Sequence, residues 1–324
     1  MSNEFEDKPA VRTTVPLLLG IVGPSSSGKT FSALRLATGM QRVIKSEIFF
    51  IDTEHERGLH YADHFKFRHV DFKPPFSPLR YLAAIEHCVR KGAKILVIDS
   101  MTHEHSGEGG VMDQSEKMLD RKCGDDWKAR EKNLMLSLVR PKAERKKLNN
   151  AIVQLGINAV LCYRAQDKIK PVRGGEPLKL GWQPETTSPL HYDMTQRFLL
   201  TPGCDGVPSL IGDTEAEKRM VKNPAMFRDL FKIGQPLDED TGEALARWAA
   251  GSSAPSPLDG LIGRLVACDR AAVDGLKAEA RDLFKRLAAD GRERLKVAIA
   301  ATESRLDAAQ PDALFGDRAT NLPG

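Results

Sequence analysis

No stretch of the 324-residue sequence is apolar for long enough to span a bilayer, and the opening MSNEFEDKPA is polar and acidic, unlike a signal peptide. From these absences we expect a cytoplasmic protein with no membrane partner. The five cysteines (Cys88, Cys123, Cys162, Cys204 and Cys268) are scattered, odd in number and never spaced C-x-x-C, which fits free thiols in a reduced compartment. No internal repeat is present. The charge is not strongly biased either: a net +4 and a pI near 8.7 permit a nucleic-acid partner without demanding one. His55, His60, His64 and His69 lie close together, but their spacing matches neither H-E-x-x-H nor a Cys/His site, so surface histidines are the expected reading.

What is present is an alternation of short apolar runs with helical stretches over residues 15–250, the pattern of a mostly parallel sheet flanked by helices in an α/β fold. The runs are VPLLLGIV, SEIFFID, FKFRHVDF, AKILVID, INAVLCY and TQRFLL. Between the third and fourth, Ser77 can cap a helix with Pro78 in its first turn and Leu82, Ile85 and Val89 on one face. Residues 1–14 read as a flexible lead, and GSSAPSP at 251–257 reads as a linker. Residues 258–309 read as two or three amphipathic helices, with Leu261/Leu265 and Leu283/Leu287 at i,i+4 spacing, and 310–324 as a disordered tail.

The first apolar run leads into Gly23, Pro24, Ser25, Ser26, Ser27, Gly28, Lys29, Thr30 and Phe31, a match to G-x-x-x-x-G-K-[ST] with the strand before it and the helix after it that the motif requires. Phe31, Leu34 and Ala37 recur at helical spacing behind it. In that setting backbone N–H groups and a helix N-terminus converge on an anion, Lys29 reaches the β/γ-phosphates of ATP, and Thr30 offers its hydroxyl to Mg²⁺. AKILVIDS then supplies Asp99 at a strand end as the metal-side acid. Hydrolysis also needs a group that orients or deprotonates water. Asp52 and Glu54 both lie at such a strand end, and position alone does not choose between them.

GPSSSGKT, FFIDTEHERG, ILVIDSMT and a later VKN together resemble the RecA-type recombinase core. VIDSMTHEHSGEGG with CYRAQDK is similar to the small phage-encoded RecA-core ATPases associated with single-strand DNA recombination. The resemblance covers roughly residues 15–250 and implies a RecA-like P-loop ATPase core, with the catalytic glutamate at Glu54. It further implies an oligomer, filament or ring, on single-stranded DNA, with Arg164 where RecA has a γ-phosphate-sensing glutamine. It also implies that Lys222 acts across a subunit interface, Pro224 replacing a second lysine and Lys218 or Arg219 able to supply the missing charge. The expected function is an ATP-dependent recombinase or annealing ATPase. The alternatives are a motor or loader of the same fold, or a nucleotide-gated module that recruits a single-strand-binding protein or sliding clamp.

DNA contacts are expected on segment 165–194, too long for an ordinary strand connection and carrying Lys168, Lys170, Arg173, Lys179 and Trp182. The run RPKAERKK is the lesser candidate: on a helix, Lys142, Arg145 and Lys146 would share a face opposite Leu148 and Ile152. In the tail, Gln310, Leu314 and Phe315 loosely resemble a sliding-clamp peptide.

Overall fold

A computed structural model describes residues 13–231, 234–251, 257–285 and 289–308; the N-terminal lead, most of the linker and the clamp-like tail lie outside the described residues. The strands are β1 (Leu18–Gly23), β2 (Ile48–Asp52), β3 (Arg68–Asp71), β4 (Ile95–Asp99), β5 (Asn158–Lys170), β6 (Leu178–Pro184) and β7 (Gln196–Leu199). The helices of the first unit are α1 (Lys29–Ile44), α2 (Pro78–Arg90), α3 (His103–Ser106), α4 (Val111–Cys123), α5 (Trp127–Ser137), α6 (Val139–Val153), α7 (Leu190–Asp193), α8 (Glu215–Met220) and α9 (Glu239–Ala249). A second unit, from Ser253 onward, contains α10 (Pro257–Ala267), α11 (Val273–Phe284) and α12 (Ala289–Ala308) around Leu258, Leu261, Leu265, Ala280 and Leu295.

All six apolar runs become strands. They form a parallel sheet in the order β3-β2-β4-β5-β1-β7, and β6 adds antiparallel to the outer half of β5. The runs are continuous rather than alternating because both faces are covered. Leu19, Ile21, Ile95 and Val97 face α1 and α9, while Val22, Leu96 and Ile98 face α2 and α6. Ser77 caps α2 and Pro78 opens it as expected, but the buried stripe is Tyr81, Ile85 and Cys88; Val89 is exposed. The stripe is set by which face meets α6, and Tyr81 serves it better because its hydroxyl also reaches Ser100 O at 2.7 Å.

Two further expectations are corrected. Segment 165–194 is not an unstructured loop: β5 continues to Lys170 and turns back as β6, so the segment is a two-stranded arm, its backbone paired from Ala165↔Pro184 to Lys170↔Leu178. Arg145 does not lie opposite Leu148 and Ile152. Three and seven residues apart, the three share the buried face of α6, with Arg145 4% exposed, while Lys142, Lys146 and Lys147 are outside.

Helix α9 lies directly on α1, the helix that follows the glycine-rich loop. Their backbones approach at two glycines: a Cβ on Gly39 would sit 1.9 Å from Glu239 O, and one on Gly242 would sit 2.1 Å from Leu36 O. Arg35 locks the crossing through Glu239, with Nε 3.0 Å from both carboxylate oxygens and Nη2 2.6 Å from Oε2. We expect Gly39→Leu to force the helices apart and to lower stability by about 1–3 kcal/mol, the usual range for overpacking. Urea unfolding checks this; an unchanged midpoint would show that the crossing tolerates a side chain.

Candidate functional site

A parallel sheet places every strand's carboxyl end at one edge, and here the edge collects the polar residues. Asp52 stands beside Asp99 in the β2–β4 register, and Gly23 beside Arg164 in the β1–β5 register. The turn out of β1 requires glycine at Gly23, where a Cβ would meet Leu200 O and Ser27 Oγ at 2.4 Å. Gly28, at φ +86°, turns the chain into α1 in the left-handed region open to glycine.

Within the loop, Ser27 Oγ donates to Pro24 O at 2.9 Å and Lys29 Nζ donates to the same carbonyl at 2.6 Å. Burial holds the Lys29 amine below its usual pKa, with Asp99 and Glu54 nearby working against that shift. The Thr30 hydroxyl donates to Asp99 Oδ2. Asp99 is 5% exposed, and burial pushes its carboxyl up to about 6, opposed by the Thr30 hydrogen bond and reinforced by Glu54 and Asp52.

The two acids that position left open have different surroundings. Asp52 is spent on its own turn: Oδ1 accepts from Glu54 N at 2.7 Å, and Oδ2 from Gly58 N at 2.8 Å and pairs with His69 Nε2 at 3.0 Å. Glu54 is held by Arg164, whose Nε donates to Oε1 at 3.0 Å while Nη2 donates to Oε2. Burial pushes the Glu54 carboxyl up, but the Arg164 hydrogen bonds and charge outweigh it and bring it below its usual value. Lys29, Thr30, Asp52, Glu54, Asp99 and Arg164 all line one cavity of about 180 Å³ with Ser25, Ser26 and Gly28.

Sequence reasoning missed Arg57, Gly58, His60 and Tyr61, which line the same cavity from a single 3₁₀ turn, Arg57–Tyr61. The available signal was their place directly after the β2 acids. Phe31, expected among the nucleotide-binding residues, is not itself in the cavity lining; its ring packs on Tyr61, which is, and on Phe65, with centroids 6.2 and 5.3 Å away. Among the described residues no three His, Cys, Asp or Glu side chains gather as a metal group, and the four clustered histidines do not converge.

Arg164 is also the root of the β5–β6 arm. Its N–H donates to Thr102 Oγ1 at 2.8 Å, and its carbonyl accepts from Glu185 N at 2.9 Å. Lys168 and Lys170 alternate on one face of the arm, Lys179 pairs with Ile169 on the other, and Arg173 is exposed in the connecting turn. Trp182 is half-buried against the core, and its backbone N–H donates to Glu217 Oε1 at 2.6 Å. Lys222 is not among the cavity residues; its amine donates to Met194 O at 2.6 Å and Tyr192 O at 3.2 Å.

Behind the site a buried network ties α3, which follows Asp99, to α6 and to the return from the arm. Arg145 Nε donates to Glu104 Oε1 and Oε2 at 2.8 and 3.1 Å, Nη1 to Thr187 Oγ1 at 3.0 Å, and Nη2 lies 3.0 Å from His105 Nδ1. Comparison with protein-family models and with curated proteins found no match to this chain.

Burial, with Arg145 and Lys168 nearby, lowers His105 from its usual 6.5 to about 4. The unfolded chain therefore takes up a proton that the folded chain refuses, so this contribution to stability is complete above pH 6.5 and is lost as pH falls from there toward about 4. We expect His105→Gln to lose less stability than the parent between those limits, measured by urea unfolding across the pH range. Parallel curves would show that His105 titrates normally.

Proposed function

We propose that the chain binds a nucleoside triphosphate with Mg²⁺ at this cavity and hydrolyses it, and that the β5–β6 arm contacts single-stranded DNA. The observation that carries the reading is the meeting of Thr30 and Asp99 beside Lys29, with Glu54 across the same cavity. A hydroxyl and a carboxylate oxygen brought together are a hard-oxygen donor pair, which suits Mg²⁺. When bound, Mg²⁺ supplies charge neutralisation at the phosphates.

The chain's own groups divide the remaining work. Loop N–H groups hold the phosphates, and Lys29 exchanges the Pro24 carbonyl for a phosphate oxygen. Glu54 orients and deprotonates water, a role open to it because its carboxylate, unlike that of Asp52, is not tied into the turn. Arg164 chooses between two anionic partners, the Glu54 carboxylate and the terminal phosphate. Since both strands of the arm hydrogen-bond near Arg164, DNA on the arm bears on that choice. The resemblance to RecA-type proteins adds that copies assemble on the DNA and promote annealing or strand pairing.

Phosphate release from ATP, with and without single-stranded DNA, tests this. We expect Glu54→Gln to lose roughly 10²–10⁴-fold in rate while still binding nucleotide, as removal of a general base does, and Lys29→Ala to lose binding itself. Replacing Lys168, Lys170 and Arg173 with glutamine should weaken DNA binding and flatten its salt dependence, because each cation that leaves a phosphate takes a released counterion with it. Normal hydrolysis by Glu54→Gln would move the base elsewhere, and an unchanged salt slope would remove the arm from the DNA contact.

A further inference from the structure

On the side away from β1, β7 makes an isolated antiparallel bridge to the segment after α8. Arg197 N donates to Lys222 O at 3.0 Å and Lys222 N to Arg197 O at 3.4 Å. Residues directly opposite in such a pair put their side chains on the same face, and like charges there repel. Here both are cations, with Arg197 buried at 4% exposure and Lys222 half-buried.

Neither charge is answered within the described residues. Arg197 Nη2 donates to Arg219 O at 2.9 Å, while Nε and Nη1 are buried without a partner. Lys222 spends its amine on two carbonyls, Met194 O and Tyr192 O. Burial holds the Arg197 guanidinium below its usual value, and the groups that work against this are the Tyr192 and Tyr163 phenols rather than any carboxylate. Tyr163 belongs to the same face: β1 residues Gly20 and Val22, two apart, stand beside Arg197 and Tyr163 respectively. Its hydroxyl is likewise buried without a partner.

Buried charges are paired, and buried donors are bonded. Water could bond the free N–H and O–H groups, but it would leave the buried Arg197 charge without a counter-charge. A partner's side chain would have to reach a guanidinium that the chain itself has almost closed off. We propose that Arg197 and Lys222, with the Tyr163 hydroxyl, hold a small inorganic anion, a halide or a compact oxyanion, on the β7 flank of the sheet. The site lies away from the phosphate cavity, since none of its residues lines that cavity, and it does not depend on the nucleotide reading.

Thermal unfolding of the full chain, titrated with chloride or with sulfate against glutamate at constant ionic strength, tests the proposal. The parent protein should show a saturable rise in midpoint of roughly 2–4 °C with one of the two small anions, as expected when a ligand binds the folded state alone. Chloride giving the rise identifies a halide site, and sulfate an oxyanion site. Arg197→Met should abolish the rise, and Lys222→Met should raise the half-saturating concentration at least tenfold. Lys29→Ala should keep the rise, which separates this site from the phosphate loop. If Arg197→Met does not fold, Lys222→Met decides alone. The proposal is overturned if neither anion gives a saturable rise, if Lys222→Met titrates like the parent, or if Lys29→Ala loses the effect.

Discussion

The candidate site depends on the parallel register of β2, β4, β5 and β1. Strands covered on both faces tolerate polar side chains chiefly where they leave the sheet, and parallel strands all leave at one edge. Asp52 and Asp99 therefore stand at that edge, level with Ile21, and Arg164 two residues further on, level with the Gly23 that opens the glycine-rich loop. A slip of one residue in any of these pairings would turn the apolar set of a strand to the wrong face and break both core layers, so the packing that stabilises the sheet also fixes the site.

Within that edge, three carboxylates, two at strand ends and one just past the end of β2, have been given different environments. Asp52 is saturated by two backbone N–H groups and His69, Asp99 is buried against a single hydroxyl, and Glu54 faces a guanidinium. Burial alone would raise Asp99 and Glu54; their specific donors separate them, and separated carboxylates are how one site assigns different tasks to the same functional group. The Arg145–Glu104 pair behind them is a different kind of interaction. It is almost wholly enclosed, so its removal one partner at a time would leave a buried unpaired charge, and its value lies in fixing α3, α6 and the return of the arm relative to one another.

Much of this was legible in the sequence because it rests on local pattern. The six apolar runs are strands, the glycine-lysine-threonine turn has the flanks its mechanism needs, and Asp99 sits at a strand end beside Thr30. What was not legible rests on long-range contact. Arg145 looked like one of a row of surface cations, and only the position of Glu104, 41 residues away, makes it a core residue. In segment 165–194 the alternation Leu178, Leu180, Trp182 that marks β6 is short and interrupted by Gly181, and what fixes the strand is its backbone pairing with β5 and the anchor at Glu217. Asp52 and Glu54 could not be told apart because the groups that distinguish them, His69 and Arg164, come from other strands. The bridge between Arg197 and Lys222 was invisible for the same reason: it is a tertiary feature.

The central claim is that Thr30 and Asp99 together hold the metal of a bound triphosphate, and its most direct test is the Mg²⁺ dependence of ATP affinity measured by calorimetry. The account predicts that Mg²⁺ tightens ATP binding to the parent protein and ceases to do so in Thr30→Val, which keeps the shape of the side chain and removes the hydroxyl. ATP affinity that is indifferent to Mg²⁺ in the parent, or equally sensitive to it in Thr30→Val, would contradict it.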